Sequence, residues 1–418
     1  MLRVAVLVFL LFSFVLGSPA AAKEADRTIA YVNARWWNGA RFVPGSRYVR
    51  DGYFVPAPKG RPARTEDLHR AFVVPPYADA HNHMPGRSED VNRIAMSVGV
   101  FYLMNPTVLA SVVPSSRGVL DAPGMVDAVY SMGAITAPGG HPEGIYQDII
   151  GPRAYPNIKP ADFLGDAYHY VTKPGDIVPV LNRLQSQGAQ FIKIMVLYSE
   201  EFAKRRDDPA YRDYKGLDPA LVPLIVKEAH RRGLRVAAHI ETAHDFRVIT
   251  TAGVDEAAHV PGYAADAPHA FKSIRPYVIT DADARAAARE HMVMTATASQ
   301  ADYEKDPVEH ARMRSLLKGN LRKLKKAGVQ LLIGTDGQPD AAPEEATYLV
   351  GLGIFTRTEA LDALSLTTPQ WIFPGRRIGR LATGYEASFL VLGGDPIGSF
   401  KEITDIRRRV KQGIELTR

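Results

Sequence analysis

The sequence predicts an α/β protein in two parts: a (β/α)8 TIM-type barrel over residues 74–375, and a small composite β-sandwich domain assembled from residues 23–73 and 376–418. Three observations carry this. Strand-like apolar runs alternate with helix-like ones through the middle of the chain, and repeated βα units imply parallel strands joined by right-handed crossovers. Eight such strand runs can be counted, the number that closes a barrel. Near the amino terminus, short β-like runs are instead broken by turn dipeptides, and such a fragment is too small to bury its own apolar face. A doubly wound open sheet is the alternative for the middle of the chain.

In chain order, Arg3 precedes the apolar run Val4 to Leu16, and Gly17-Ser-Pro-Ala-Ala-Ala22 supplies small residues before Lys23. That is the anatomy of a cleavable secretory signal over residues 1–22, too short for a comfortable membrane span. An uncleaved anchor is the rival; the expectation is an exported protein, periplasmic or secreted, with no stable membrane insertion after cleavage. Thr28 to Val32, Arg41 to Val43 and Arg47 to Val55 read as hairpin strands punctuated by Asn38-Gly39, Pro44-Gly45 and Asp51-Gly52. The run Ala71 to Pro76 then empties into the loop Tyr77-Ala-Asp-Ala-His-Asn-His83 and opens the barrel.

The further candidate strands are Val98 to Met104, Ala134 to Ala137, Phe191 to Met195, Leu234 to His239, Val254 to His259, Met292 to Ala296 and Val329 to Thr335. Between two of them a helix is punctuated by Asp218 at the cap, Pro219 in the first turn and Gly233 at the end, with Val222, Ile225, Val226 and Ala229 on one face. A second helix surrounds Phe246 to Ile249. After the barrel, Ser388 to Leu392 is an apolar strand, and residues 402–406 and 409–414 can continue the sheet begun by the amino terminus.

Composition excludes several classes. Hydrophobic content of 46% and charged content of 23% are those of an ordinary globular chain. Removing residues 1–22 takes away one arginine and lowers the formal charge from +6 to +5, mild for this length. The basic stretches Arg322 to Lys326 and Arg407 to Lys411 lack interleaved aromatics, so they read as solvated faces and no nucleic-acid partner is expected. The expected partner is a small molecule, with oligomer formation left open. With no cysteine anywhere, disulfides, thiolate ligands and a cysteine nucleophile are ruled out.

A barrel places its chemistry at the carboxyl ends of its strands. There the sequence puts His81 and His83, which share a face because they lie two apart, then Gly139-Gly-His141, Lys193, His239, His259 and Thr335-Asp336-Gly337. Nearly all of these groups can ligate a divalent ion or move a proton. His69, His230, His269, His291 and His310 fall away from that face, and His244 is read as a supporting or solvent-exposed residue.

The chain resembles the amidohydrolase superfamily of metal-dependent hydrolases, through Asp79-Ala-His-Asn-His83, Phe191-Ile-Lys193, Ala238-His239, Ala258-His259, Gly334-Thr-Asp336 and the late stretch Gly379 to Pro396. Gly140-His141 and Ile192-Lys-Ile194 look most like the imidazolonepropionase-like and prolidase-like branch. The resemblance implies that His81, His83 and Asp336 bind one metal, His239 and His259 a second, and a carbamate on Lys193 bridges them. It implies His141 beside the substrate carbonyl. The expectation is two divalent ions per chain, Zn²⁺ foremost, and Tyr198 in substrate binding. Departures lie in Pro75-Pro-Tyr-Ala-Asp79, Thr368-Pro-Gln-Trp371 and Val196 to Phe202, which shape the pocket and leave the substrate open.

The chemistry expected of such a site is hydrolysis of an amide or peptide-like C–N bond, with Asp336 as proton shuttle and His141 as oxyanion donor. Rivals are a single-metal variant, a lactone or ester hydrolase, and an exported binding protein without turnover. Arg87, Arg153 and Arg205 can each hold a substrate carboxylate or equally stand as a solvated loop charge.

Overall fold

The computed structural model describes residues 27–83, 88–114, 124–263, 273–337 and 341–416. The expected export signal, Arg87 and His269 lie outside the described residues. Among the described residues no helix is long and apolar enough to cross a membrane.

Strands β1 (Ile29–Trp37), β2 (Phe42–Arg50), β3 (Tyr53–Val55), β4 (Arg64–Asp67) and β5 (Phe72–Val74) come from the amino-terminal segment. The barrel strands are β6 (Tyr77–Asp79), β7 (Val100–Asn105), β8 (Asp127–Tyr130), β9 (Ala134–Thr136), β10 (Tyr168–Tyr170), β11 (Ile192–Val196), β12 (Val236–Ile240), β13 (Glu256–Ala258), β14 (Val293–Thr295) and β15 (Leu331–Leu332). The chain ends with β16 (Phe389–Leu392), β17 (Ile406–Lys411) and β18 (Ile414–Glu415).

Both termini meet in one eight-stranded sheet of order β18-β17-β16-β5-β1-β2-β3, with β4 attached to β1. The joint is β5, parallel to β1 on one side and antiparallel to β16 on the other. The sequence reading had run Ala71 to Pro76 straight into the barrel. Instead Pro75 and Pro76, which lack N–H donors, end the ladder of β5, and β6 starts a different sheet at Tyr77. The terminal sheet is held by aromatic packing: Phe389 meets Tyr31, Trp36 and Phe54 at ring-centre distances of 5.0, 5.6 and 6.1 Å. Of residues 402–406, read as strand, 402–404 belong to a 3₁₀ turn over Phe400–Thr404 whose Phe400 and Ile403 are buried, and Ile406 opens β17.

The barrel strands run parallel in two arcs, β6-β7-β8 and β10-β9-β11-β12-β13-β14-β15. They close between the last strand and the first: Ala80 N–H donates to the Ile333 carbonyl at 2.9 Å, and Asp336 N–H to the His81 carbonyl at 2.8 Å. At the other seam the Tyr130 carbonyl accepts from Gln190 N–H at 2.9 Å. The run 127–136 is broken into β8 and β9 by left-handed residues at Met132 and Gly133. A side chain at 133 would meet the carbonyl oxygens of Asp166 and Ala167 at 2.9 Å, so only glycine fits there. β8 and β10 have no counterpart in the sequence reading, because each is too short to show a period.

The helix after β11 follows its sequence punctuation. Asp218 accepts from the N–H of Ala220, Val222–Arg231 is helical, and Val222, Ile225, Val226 and Ala229 are buried. Below the barrel, Asp127 is gripped by Lys411 at 2.6 Å and Arg376 at 2.7 Å, tying the last strands to the barrel floor.

Candidate metal centre

The ligand-type residues converge on one cavity of about 370 Å³, lined among others by His81, His83, His141, Lys193, His239, His259 and Asp336. They arrive on six elements. His81 and His83 follow β6, His141 sits in the turn after β9, Lys193 lies within β11, His239 within β12, His259 just past β13 and Asp336 just past β15. Lys193 and Met195 both line the cavity, as strand alternation requires. A second cavity of about 580 Å³ adjoins it and shares His141, Ile145, His239, Tyr263 and Asp336. A cleft of about 730 Å³ between residues 92–97 and the last strands contains none of these groups.

Asp336 is the hub. Its Oδ1 lies 2.9 Å from His83 Nε2 and 3.4 Å from His81 Nε2, and its Oδ2 lies 4.0 Å from His259 Nδ1. His81 and His83 face each other at 3.1 Å between their Nε2 atoms. On the far side the rings of His239 and His259 are 4.6 Å apart, and His141 stacks on His239 at 4.6 Å. His259 and Asp336 both have left-handed backbones, φ 76° and 53°. Such strain in residues other than glycine concentrates at functional sites.

Burial decides the electrostatics. It holds His81, His239 and His259 well below the usual imidazole range, with Lys193 and neighbouring imidazoles adding to the effect, and it takes His141 down to about 4. Neutral imidazole is the form that binds metal. Desolvation lowers Lys193 to about 8, opposed by Glu256 and Asp336. Its Nζ and the Nδ1 of His81 are buried with no hydrogen-bond partner. Orphaned nitrogens among neutral histidines and a carboxylate are a donor set that fits a divalent ion of the Zn²⁺ kind.

Partners of these residues brace them. Asp79 is buried and pushed up to about 6 by desolvation; it accepts from the N–H groups of His81 and Thr335 and from the Thr335 hydroxyl, so one carboxyl ties the first barrel strand to the last. Thr107 Oγ1 is 2.7 Å from His83 Nδ1, and Glu241 Oε1 is 3.1 Å from His239 Nε2. Tyr263 stacks on His259 at 4.0 Å and 9°. The wall opposite the ligands is made of Val108, Pro142, Ile145, Tyr146, Ile150 and Tyr155. No motif marks these residues; they sit in connections without a period.

Several expected residues lie elsewhere. Tyr198 does not line either cavity: its backbone is left-handed, its N–H donates to Asp245 at 3.0 Å, and its ring lies under the Arg205 guanidinium at 3.8 Å. Arg205 is buried, bound to Glu201 and the Tyr214 carbonyl, and Arg153 is exposed, so neither reaches the ligands. His230 and His310 pair with Asp255 and Asp302, away from the mouth. His244 forms a second close group with Glu200 and Asp245. There Asp245 is already taken by the N–H groups of Tyr198, Ser199, Glu241 and Thr242 and by the Ser199 hydroxyl, which makes it a loop organiser.

A model of the amidohydrolase family matches residues 210–414. Among solved structures, an Aspergillus niger ochratoxinase is 18% identical with a TM-score of 0.71, covering 94% of this chain and 96% of its own. A Xaa-Pro dipeptidase with methionine bound in its active site is 15% identical with a TM-score of 0.72, covering 94% and 100%. A molinate hydrolase is 16% identical with a TM-score of 0.72, covering 94% and 95%. At these identities the likeness establishes the fold. No curated protein matches the chain.

Proposed function

This chain belongs to the amidohydrolase superfamily, and from that premise we propose that it is an exported, metal-dependent hydrolase of amide or peptide-like C–N bonds. The observation that carries the reading is the convergence of six ligand-type side chains from five strands on one cavity, where burial keeps His81, His239 and His259 neutral and leaves Lys193 Nζ unpaired. The dipeptidase among the fold neighbours supports the prolidase-like branch. The run of Val4 to Leu16 after Arg3 supports export.

In this reading His81, His83 and Asp336 would hold one ion and His239 and His259 a second, and Lys193, as its carbamate, would supply the anionic oxygens for both. A lysine depressed to about 8 carries enough neutral amine at ordinary pH to react with carbon dioxide. When bound, two divalent ions supply Lewis-acid activation of water and of the scissile carbonyl. Asp336, at the centre of the cluster, takes the proton of the attacking water and returns it to the leaving nitrogen. His141, kept neutral with a pKa of about 4, donates its N–H to the oxyanion that develops on the carbonyl.

Two measurements test this. The purified protein supplied with Zn²⁺ and bicarbonate is screened against dipeptides, N-acyl amino acids and lactones; turnover confined to lactones would replace the bond class, and metal binding without any turnover would leave a binding protein. Metal content should be about two ions per chain in the wild type, with loss in Lys193→Ala and partial recovery on adding a short carboxylic acid. One tightly held ion in both proteins would remove the bridge.

A further inference from the structure

The turn after β14 contributes no ligand, yet it touches two of the elements that do. Thr297 Oγ1 lies 2.9 Å from His259 Nδ1. Three residues on, Gln300 Nε2 donates to the carbonyl of Thr335 at 2.6 Å, the peptide that immediately precedes Asp336. The turn is itself pinned from outside the barrel: Glu345, on the helix Ala342–Gly351, accepts from Ala298 N–H at 2.9 Å through one oxygen and from Ser299 N–H at 2.7 Å through the other. Glu345 is fully buried and takes part in no step described above.

The backbone of Thr297 makes packing alone a poor account. It is left-handed, φ 45° and ψ 34°, and fully buried. A β-branched residue in that conformation is a genuine outlier, and glycine would make the turn without strain. Glycine has no hydroxyl to offer His259. The strain is kept where a hydroxyl meets a ligand imidazole, and the two hydrogen bonds from Glu345 hold it there.

We propose that Thr297 and Gln300, anchored by Glu345, are positioning residues of the metal centre: Thr297 accepts from His259 Nδ1–H, which leaves Nε2 as the ligating nitrogen, while Gln300 sets the turn that carries Asp336. This rests on reading the cavity as a metal centre. Hydrogen bonds of this kind to the other ring nitrogen of a ligating histidine change metal affinity about 10–100-fold.

The test compares wild type with Thr297→Val, Thr297→Ser and Glu345→Gln, each first shown to be folded by circular dichroism and thermal melting. Nitrogen-15 NMR of the metal-free proteins reads the His259 tautomer, and competition with a chelating dye reads Zn²⁺ affinity. The expected result is Nδ1–H in wild type and Thr297→Ser, a mixture of tautomers in Thr297→Val, and about 10–100-fold weaker Zn²⁺ binding in Thr297→Val that serine restores. Glu345→Gln should shift both readouts in the same direction, because its amide NH₂ would face one of the two N–H groups. An unchanged tautomer and unchanged affinity in Thr297→Val and Glu345→Gln would overturn the proposal. Failure of the wild type to bind metal would instead overturn the metal reading, and the tautomer would still report on Thr297.

Discussion

The two walls of the cavity are built differently. The ligand wall stands on strands paired at fixed register: Met195 is beside His239, and His239 is beside Ala258, the residue before His259. The facing wall, Val108 with residues from Pro142 to Tyr155, comes from connections; its Tyr146 packs with Leu109, Phe163, Ala167 and Tyr168 in a cluster separate from the main core. A strand ladder can hold an atom to fractions of an ångström, whereas a connection packed on its own small cluster can change with little cost to the barrel. On the function proposed above, the difference would put the chemistry on one wall and substrate choice on the other.

The sharpest way to break that division is at the ligand wall. Asp336→Asn should leave a protein with wild-type circular dichroism that has lost at least about 100-fold in turnover, measured on whichever substrate the screen identifies. Substantial activity in that variant would remove Asp336 as the proton carrier. At the facing wall, Ile145→Ala and Tyr155→Ala should lower kcat/KM for apolar substrates by about tenfold and leave metal content unchanged. Loss of metal in either variant would show that the two walls are one unit.

The smallest effect lies at Asp213, where the facing wall is tied down: its Oδ1 accepts from Gly144 N–H at 3.0 Å. Burial pushes its carboxyl up to about 6. A raised folded-state pKa means that the folded protein holds the proton more tightly than the unfolded chain, so this residue's contribution falls as pH rises from about 4 to 6 and is level above. Asp213→Asn should therefore be more stable than wild type at pH 7, by about 1 kcal/mol after allowance for partial exposure, with the melting curves converging near pH 4. An advantage that does not vary with pH would show that ionisation is not its cause.

The ligand wall was legible because alternation puts His81 and His83 on one face, and apolar runs announce the strands that carry or lead to His239, His259 and Asp336. The punctuation of the helix after β11 was legible for the same reason, since caps and breakers act within a few residues. The facing wall was not. Tyr198 illustrates why: its position after β11 suggested the pocket, but a left-handed backbone and the distant Asp245 turn it beneath Arg205.

Local stereochemistry, then, determines which residues can face one another: alternation along a strand, the missing N–H of Pro75 and Pro76, the absence of any thiol. Which residues do meet depends on contacts between segments far apart in the chain. Asp79 bonded to Thr335, Thr297 to His259 and β5 shared between the two termini each join residues brought together only when the barrel and the terminal sheet close. Connections lack a repeating side-chain direction, so their orientation is set by the surfaces they pack on, and the apolar wall and the bracing of the ligands belong to the tertiary structure alone.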